Sequence, residues 1–252
     1  MKSNWGAAAV ALAILANVTA LRAQTVSPVI LEYREKAKGS FQLTNDTVVP
    51  MSVSIEPRSF SVDPEGNPKF RKLDEQIKVR LSTTSFRLGP RQTFTIFYDA
   101  TAAQVPAWFT IYSTVTGPPN PNGLQLAVEL PHTVYLLTKK LLARESVAVL
   151  SANFKKGPEA EVEAEIESRA QEFGRVQLVE VFSATGKKEY GGFPLFPGQR
   201  RLLNLEWDQA GAPQRVVLTF EKFKVEQVIT ANAPAPSSSS ASSPRISPRN
   251  SP

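Results

Sequence analysis

Residues 161–167, EVEAEIE, alternate strictly between glutamate and small or apolar side chains. In a β-strand the four glutamates would lie on one face and the three residues between them on the other. A helix would distribute the same glutamates around its circumference. The stretch therefore predicts a strand with one face in solvent and one face in a core.

The same two-residue period recurs on both sides of this stretch. It is found in residues 41–43, 51–55, 94–98, 109–115 and 124–130 before it, and in 176–182, 203–207 and 216–220 after it. Segments rich in Gly, Pro, Asn and Asp separate the runs, and residues 185–188 have the composition of a hairpin turn. Short alternating runs without an amphipathic helix predict an all-β protein built of immunoglobulin-like β-sandwiches.

A basic, Leu-rich stretch near residues 139–145 interrupts the alternation. We therefore predict two domains, an N-terminal domain over 24–140 and a C-terminal β-sandwich domain over 141–229. The chain has no cysteine, so the stability of both domains must come from core burial. About 205 residues suffice for two ordinary domains.

Both ends of the chain differ from the part between them. Residues 1–23 combine Lys2 with an apolar run, 7–16, which is typical of an export signal and too short for a bilayer span of about 20 residues. Cleavage after Ala20 and cleavage after Ala23 both fit. Residues 230–252 are rich in Ser and Pro and predict a disordered tail. We expect an exported protein that lies outside the cytoplasm and has no membrane span.

The net charge of the chain is +6, and it falls to about +2 when the cations of the two ends are removed. So small a net positive charge argues against a nucleic-acid partner. The densest basic stretch, residues 69–80, is interrupted by Asp74 and Glu75, and it predicts a solvated loop.

Catalytic residues are scarce. The only histidine is His132, which lies within an alternating run and is better interpreted as a strand residue than as a base. The glutamates of 161–167 have the spacing of a solvent face rather than of an acid–base pair. No nucleotide-binding or serine-hydrolase motif is present. We predict no enzyme activity, no metal and no cofactor.

Four stretches, in order, resemble the periplasmic chaperones that assemble bacterial pili. SFQLTN at 40–45 is similar to their first core strand, which ends in Asn, and FRLGP at 86–90 is similar to their F-R-L-x-P turn. Val105-Pro106 with FTIY at 109–112 resembles their entry to a buried aromatic strand. LQLAV at 124–128 resembles the edge strand that they lend to a subunit. Residues 193–201 also resemble a turn of their second domain.

The resemblance implies a chaperone that donates an edge strand to pilus-like or other β-rich secreted subunits, in concert with an outer-membrane usher. The partner-binding row would be Leu124, Leu126, Val128 and Leu130. The sequence leaves two orientations of this row open, because alternation does not say whether it faces a partner or the core of its own domain.

This chain departs from the family where the chaperones bind a subunit's terminal carboxylate. The family's Arg position falls on Val29 or Ile30, and its Lys position falls on Thr133 or Tyr135. The nearest cations are Arg34 and Lys139, which are the candidate anchors. The departures leave an alternative function, an exported immunoglobulin-like scaffold or adhesion protein without chaperone activity.

Overall fold

The computed structural model describes residues 24–231, so the predicted export signal and the tail from residue 232 onward lie outside the described residues. The chain divides into two compact units. The first extends to Leu142 and includes Gln171–Phe173, and the second consists of Ala143–Ala170 and the chain from Gly174 onward.

The first unit contains ten strands, which are β1 Gln24–Ser27, β2 Ile30–Arg34, β3 Lys36–Asn45, β4 Met51–Val62, β5 Pro68–Lys72, β6 Ile77–Leu81, β7 Ser85–Leu88, β8 Thr93–Ala102, β9 Ala107–Thr116 and β10 Ala127–Leu137. One sheet has the order β1-β3-β8-β6. The other has the order β2-β10-β9-β4-β5, with β7 also paired to β4. All pairs are antiparallel except β2 with β10, which is parallel.

The two sheets of the first unit pack face to face, because each supplies one apolar face to a shared core. Phe41, Leu43 and Ile96 come from the first sheet, and Phe109 and Ile111 come from the second. All five are at most 1% exposed. This alternation of buried and exposed residues is the one that the sequence predicts.

The second unit contains eight strands, which are β11 Val147–Lys155, β12 Glu161–Ser168, β13 Gly174–Ser183, β14 Lys187–Leu195, β15 Arg200–Glu206, β16 Pro213–Thr219, β17 Lys224–Val228 and β18 Thr230–Ala231. They form two four-stranded sheets, β15-β12-β11-β18 and β14-β13-β16-β17. In β12 the residues Val162, Ala164 and Ile166 are buried and the glutamates between them are half-buried. The strand predicted from EVEAEIE is confirmed.

Three local predictions are wrong. Most of the basic stretch predicted as a loop forms strands β5 and β6, which lie at the edges of the two sheets. The alternating run predicted over 124–130 becomes a strand only at Ala127. Thr230 and Ala231, predicted to belong to the tail, pair with Asn153 and Phe154 of β11.

Helical structure is nearly absent from the described residues, which contain a single 3-10 turn, Arg144–Ser146. No helix within residues 24–231 is long and apolar enough to cross a membrane. The all-β fold class predicted from the sequence is therefore confirmed.

Candidate partner-binding edge strand

Strand β10 is paired along its whole length on one side and along half of its length on the other. It pairs with β9 from Ala127 to Leu136. On its other side it pairs with β2 only from Thr133 to Leu137. Among the described residues, no strand pairs with the segment 127–132 on that side. This segment, which we call the free half of β10, is an exposed sheet edge.

The direction of the main-chain groups shows what this edge presents. The amide of Thr133 donates to the carbonyl of Val29 at 2.7 Å. The main-chain N–H and C=O groups of odd-numbered residues in β10 therefore point towards the β2 side. Main-chain groups alternate in direction along a strand. Ala127 and Glu129 therefore present both N–H and C=O at the free edge. Pro131 presents only its carbonyl, and a proline fits here because no ladder requires its missing donor.

The predicted partner-binding row consists of even-numbered residues, which share one face of β10 and of the segment before it. Along the chain this face passes from solvent into the core. Leu124, Leu126 and Val128 are 61%, 72% and 45% exposed. Leu130 is half-buried and packs against the core of the first unit, and Val134 is completely buried. The two orientations that the sequence left open thus occur on one face, since the row faces solvent up to Val128 and the core from Leu130.

The segment before β10 is held against the end of β9 by polar contacts. The side-chain oxygen of Asn120 accepts from the amide of Leu124 at 2.8 Å. The side chain of Gln125 donates to the carbonyl of Gly117 at 2.9 Å, and the Gly117 amide donates to the Leu126 carbonyl at 3.2 Å. The loop therefore continues the edge rather than covering it.

An apolar groove of about 300 Å³ lies beside the exposed part of the row. Val49, Met51 and Val115 line it together with the side chains of Leu124 and Leu126. The free half of β10 thus adjoins a surface that can accept further apolar side chains.

His132 lies at the junction between the free half and the paired half. Its Nδ1 is 2.6 Å from the carbonyl oxygen of Pro28, and its Nε2 is 3.0 Å from Oη of Tyr98. Because a carbonyl can only accept, Nδ1 carries the proton, and Nε2 accepts from the Tyr98 hydroxyl. The Tyr98 oxygen then accepts from the hydroxyl of Tyr33 at 3.0 Å. The three hydrogen bonds therefore all run in the same direction, from the Tyr33 hydroxyl through Tyr98 and His132 to the Pro28 carbonyl.

This network connects both sheets and the segment where the chain passes from β1 to β2. The His132 ring is fully buried and stacks on Phe41 with ring centroids 4.6 Å apart. Burial lowers the pKa of His132 below its usual value, and the bond to Pro28 only partly opposes this effect. His132 is therefore a structural residue of the edge, as the sequence predicts, although its position at the junction has no signature in the sequence.

Asn45, the last residue of the SFQLTN motif at 40–45, contacts the FRLGP motif at 86–90. Its side-chain amide donates to the carbonyls of Val49 at 2.8 Å and Gly89 at 2.9 Å, and its side-chain oxygen accepts from Thr47. Asn45 is completely buried. The two motifs thus form one clamp, which holds the turn at 86–90 against the end of β3.

The candidate carboxylate anchors lie at the same end of the β2–β10 pair. Arg34 is opposite Leu137 and donates to the carbonyl of Thr138 at 2.7 Å. Lys139 pairs with Glu35 at 3.2 Å. Of the positions that the sequence assigned to the family's anchors, Ile30 and Thr133 are opposite each other in the register.

The glutamate face of β12 has cationic neighbours. Lys155 pairs with Glu161 and Glu163, and Arg200 pairs with Glu165 and Glu167. Within residues 24–231, no group of three or more His, Asp or Glu side chains has a metal-binding arrangement.

No protein-family model matches the chain, and no curated protein matches its sequence. Solved structures match its fold. The crystal structure of the YadV chaperone has a TM-score of 0.51 and 13% identity, over 81% of this chain and 98% of its own. The class 5 fimbriae chaperone CfaA has a TM-score of 0.51 and 9% identity, over 82% and 99%.

A structure of Salmonella enterica SafA pilin in complex with the SafB chaperone matches with a TM-score of 0.51 and 12% identity, over 83% of this chain and 98% of that one. These identities establish a likeness of fold. The chain has the two-domain, all-β fold of the fimbrial chaperones, and the resemblance predicted from its motifs is confirmed at that level.

Proposed function

We propose that this protein is a non-enzymatic, periplasmic chaperone for pilus or other surface-fibre subunits, and that it acts by edge-strand donation. One observation carries the proposal. The free half of β10 lacks a neighbour on one side, among the described residues, while the apolar row beside it is exposed.

An incomplete partner domain could use both properties of this edge. Its own strand would pair with the main-chain groups of Ala127 and Glu129, and this pairing would supply affinity. Its hydrophobic groove would accept Leu124, Leu126 and Val128, and this packing would supply specificity. An exposed edge normally promotes aggregation, and a partner that covers it removes that liability from both proteins.

The partners in this proposal are β-rich secreted subunits, with an outer-membrane usher as a further partner. The fold match to a chaperone solved together with a pilin supports this choice. Arg34 and Lys139 are the candidate anchors for a subunit's terminal carboxylate. To bind it, Arg34 would have to release the Thr138 carbonyl and Lys139 would have to release Glu35.

The experiment is a pull-down of the tagged protein from its native periplasm, with intact-mass analysis of what co-purifies at one-to-one stoichiometry. Leu126→Arg should abolish capture of a β-rich partner and leave the protein folded, because Leu126 is 72% exposed. Val228→Arg is the matched control, since Val228 is 66% exposed in the second unit. A folded Leu126→Arg protein that still captures its partner would contradict strand donation.

A second variant separates main-chain pairing from side-chain packing. Glu129→Pro removes one N–H donor at the free edge, where a proline is tolerated because that side carries no ladder. It should weaken capture by up to about tenfold relative to Glu129→Ala, which removes the same side-chain contact to Arg58 but keeps the donor. Equal capture by both variants would contradict main-chain pairing. Absence of any one-to-one partner would favour the scaffold alternative.

A further inference from the structure

The outer face of the sheet β1-β3-β8-β6 carries four cations in a regular array. Lys36 of β3 and Lys78 of β6 both pair with Thr101 of β8. In the neighbouring row, Lys38 and Arg80 both pair with Asp99. We call Lys36, Lys38, Lys78 and Arg80 the basic plate.

The register determines the geometry of the basic plate. Side chains at paired positions share a face, so all four cations point away from the core, and all four are exposed. Strand and residue spacings place them about 10 Å apart across β8 and about 7 Å apart along the strands. Because the array spans only three adjacent strands, the long side chains can reach a common plane despite the twist of the sheet.

The charge of the basic plate is not neutralised by its surroundings. Within residues 24–231, none of the four cations has an acidic group within ion-pair distance. Asp99 lies between Lys38 and Arg80, Glu75 lies in the loop before β6, and Glu35 pairs with Lys139. The face therefore remains net positive, in contrast to β12, where Lys155 and Arg200 neutralise much of the glutamate row.

An exposed aromatic side chain adjoins the cations. Phe97 of β8 precedes Asp99 by two residues and therefore lies on the same face, opposite Ser40. It is 60% exposed. The amide of Phe97 donates to the Ser82 side chain, and Phe97 accepts from the Ser82 amide at its carbonyl, so its backbone is held in place while its ring lies in solvent.

We propose that the basic plate and Phe97 bind an anionic lipid surface. Four long, exposed cationic side chains on one face can contact a plane of anionic headgroups together, and such binding requires no defined pocket. Aromatic rings favour the boundary between headgroups and acyl chains. An acidic protein would instead need matching charges at the same spacings. The inference does not depend on strand donation, and the free half of β10 belongs to the other sheet of the unit, so it does not contribute to this face.

Vesicle co-sedimentation with the mature full-length chain tests the proposal. The protein should sediment with vesicles of phosphatidylglycerol and phosphatidylcholine, and it should stay in solution with phosphatidylcholine alone. Each cation near such a surface contributes about fivefold to partitioning. The double variant Lys38→Glu/Arg80→Glu should therefore partition at least about 25-fold less, and binding should be lost near 1 M salt, where the screening length is about 3 Å.

The matched control is Lys156→Glu/Lys222→Glu, which changes the net charge equally at exposed positions of the second unit. It should partition like the wild type. Phe97→Ser should lower partitioning about threefold to tenfold by removing the ring. Equal losses in both double variants, or equal binding to both kinds of vesicle, would overturn the proposal. So would a Lys38→Glu/Arg80→Glu protein that binds vesicles normally but has lost self-association or an acidic protein partner.

Discussion

The two ends of β10 have different surroundings on one and the same face of the strand. Val128 in the free half and Val134 in the paired half lie on the same face of one strand, yet Val128 is 45% exposed and Val134 is completely buried. The difference arises outside β10. Beside Val134 the strand has β2 as a second neighbour, and beside Val128 it has none among the described residues.

The periodicity of a strand therefore does not determine which of its residues are buried. On its even-numbered face β10 packs in the core from Leu130 onward, although β2 pairs with it only from Thr133, and the same face is exposed at Val128. Burial thus begins between Val128 and Leu130, whereas pairing with β2 begins after His132, whose ring binds the segment that enters β2.

The largest effect on stability is expected from a matched pair of substitutions, Val128→Arg and Val134→Arg. At Val134 the arginine would place an unpaired charge in the core, and we expect a loss of about 4 kcal/mol or more in the free energy of unfolding. At Val128 the same change should stay within about 0.5 kcal/mol, because the side chain can extend into solvent. Urea unfolding monitored by tryptophan fluorescence measures both. Similar losses at the two positions would contradict the division of β10.

An intermediate effect is expected at Gly39, which faces the hydrogen-bonded tyrosines. A Cβ at this position would lie 2.0 Å from Oη of Tyr33 and 3.0 Å from Oη of Tyr98. Gly39→Ala should cost about 1–3 kcal/mol in unfolding free energy through this overlap. Adding Tyr33→Phe removes the nearest oxygen and should restore part of the loss. A double-mutant cycle measures the coupling, and additive losses would show that the tyrosine is not the obstacle.

The smallest effect concerns pH. Burial lowers the pKa of His132 in the folded protein, so as the pH falls the unfolded chain takes up the proton first, near pH 6.5. The contribution of neutral His132 to stability is therefore complete above about pH 6.5 and is lost as the pH falls through that value towards the folded-state pKa.

His132→Gln should accordingly lose about 1–2 kcal/mol at pH 7.5, because the glutamine cannot keep both hydrogen bonds in the same geometry. Between pH 7 and pH 5 its unfolding free energy should fall less steeply than that of the wild type. Chemical denaturation at a series of pH values distinguishes the two slopes. Parallel curves would mean that His132 is not the titrating group.

The strands of both cores could be predicted from the sequence because their signal is local. Each inward face, such as that of β12 or β9, repeats every two residues, and burial follows directly from this period. Strand β5 was missed because both of its faces lie in solvent and show no such period. Strand β6 does alternate, with Ile77 buried between exposed neighbours, but its cations give it the composition of a loop.

The candidate site was predictable only in part. The row at Leu124, Leu126 and Val128 follows from alternation and resemblance, but its exposure depends on which other segments pack over this face of β10. The parallel pairing of β2 with β10 and the bond from His132 to Pro28 connect residues about 100 positions apart. No pattern within a short window encodes such contacts.

Pro131 has a consequence for the length of any strand that adds to this edge. A growing ladder meets donors at Ala127 and Glu129, finds none at Pro131, and then reaches β2, which already occupies the edge from Thr133. The edge is thus closed at one end and open at the other, towards Leu124. A strand that adds to this edge can pair only as far as the start of β2. That fixed end point determines the register of the whole added strand.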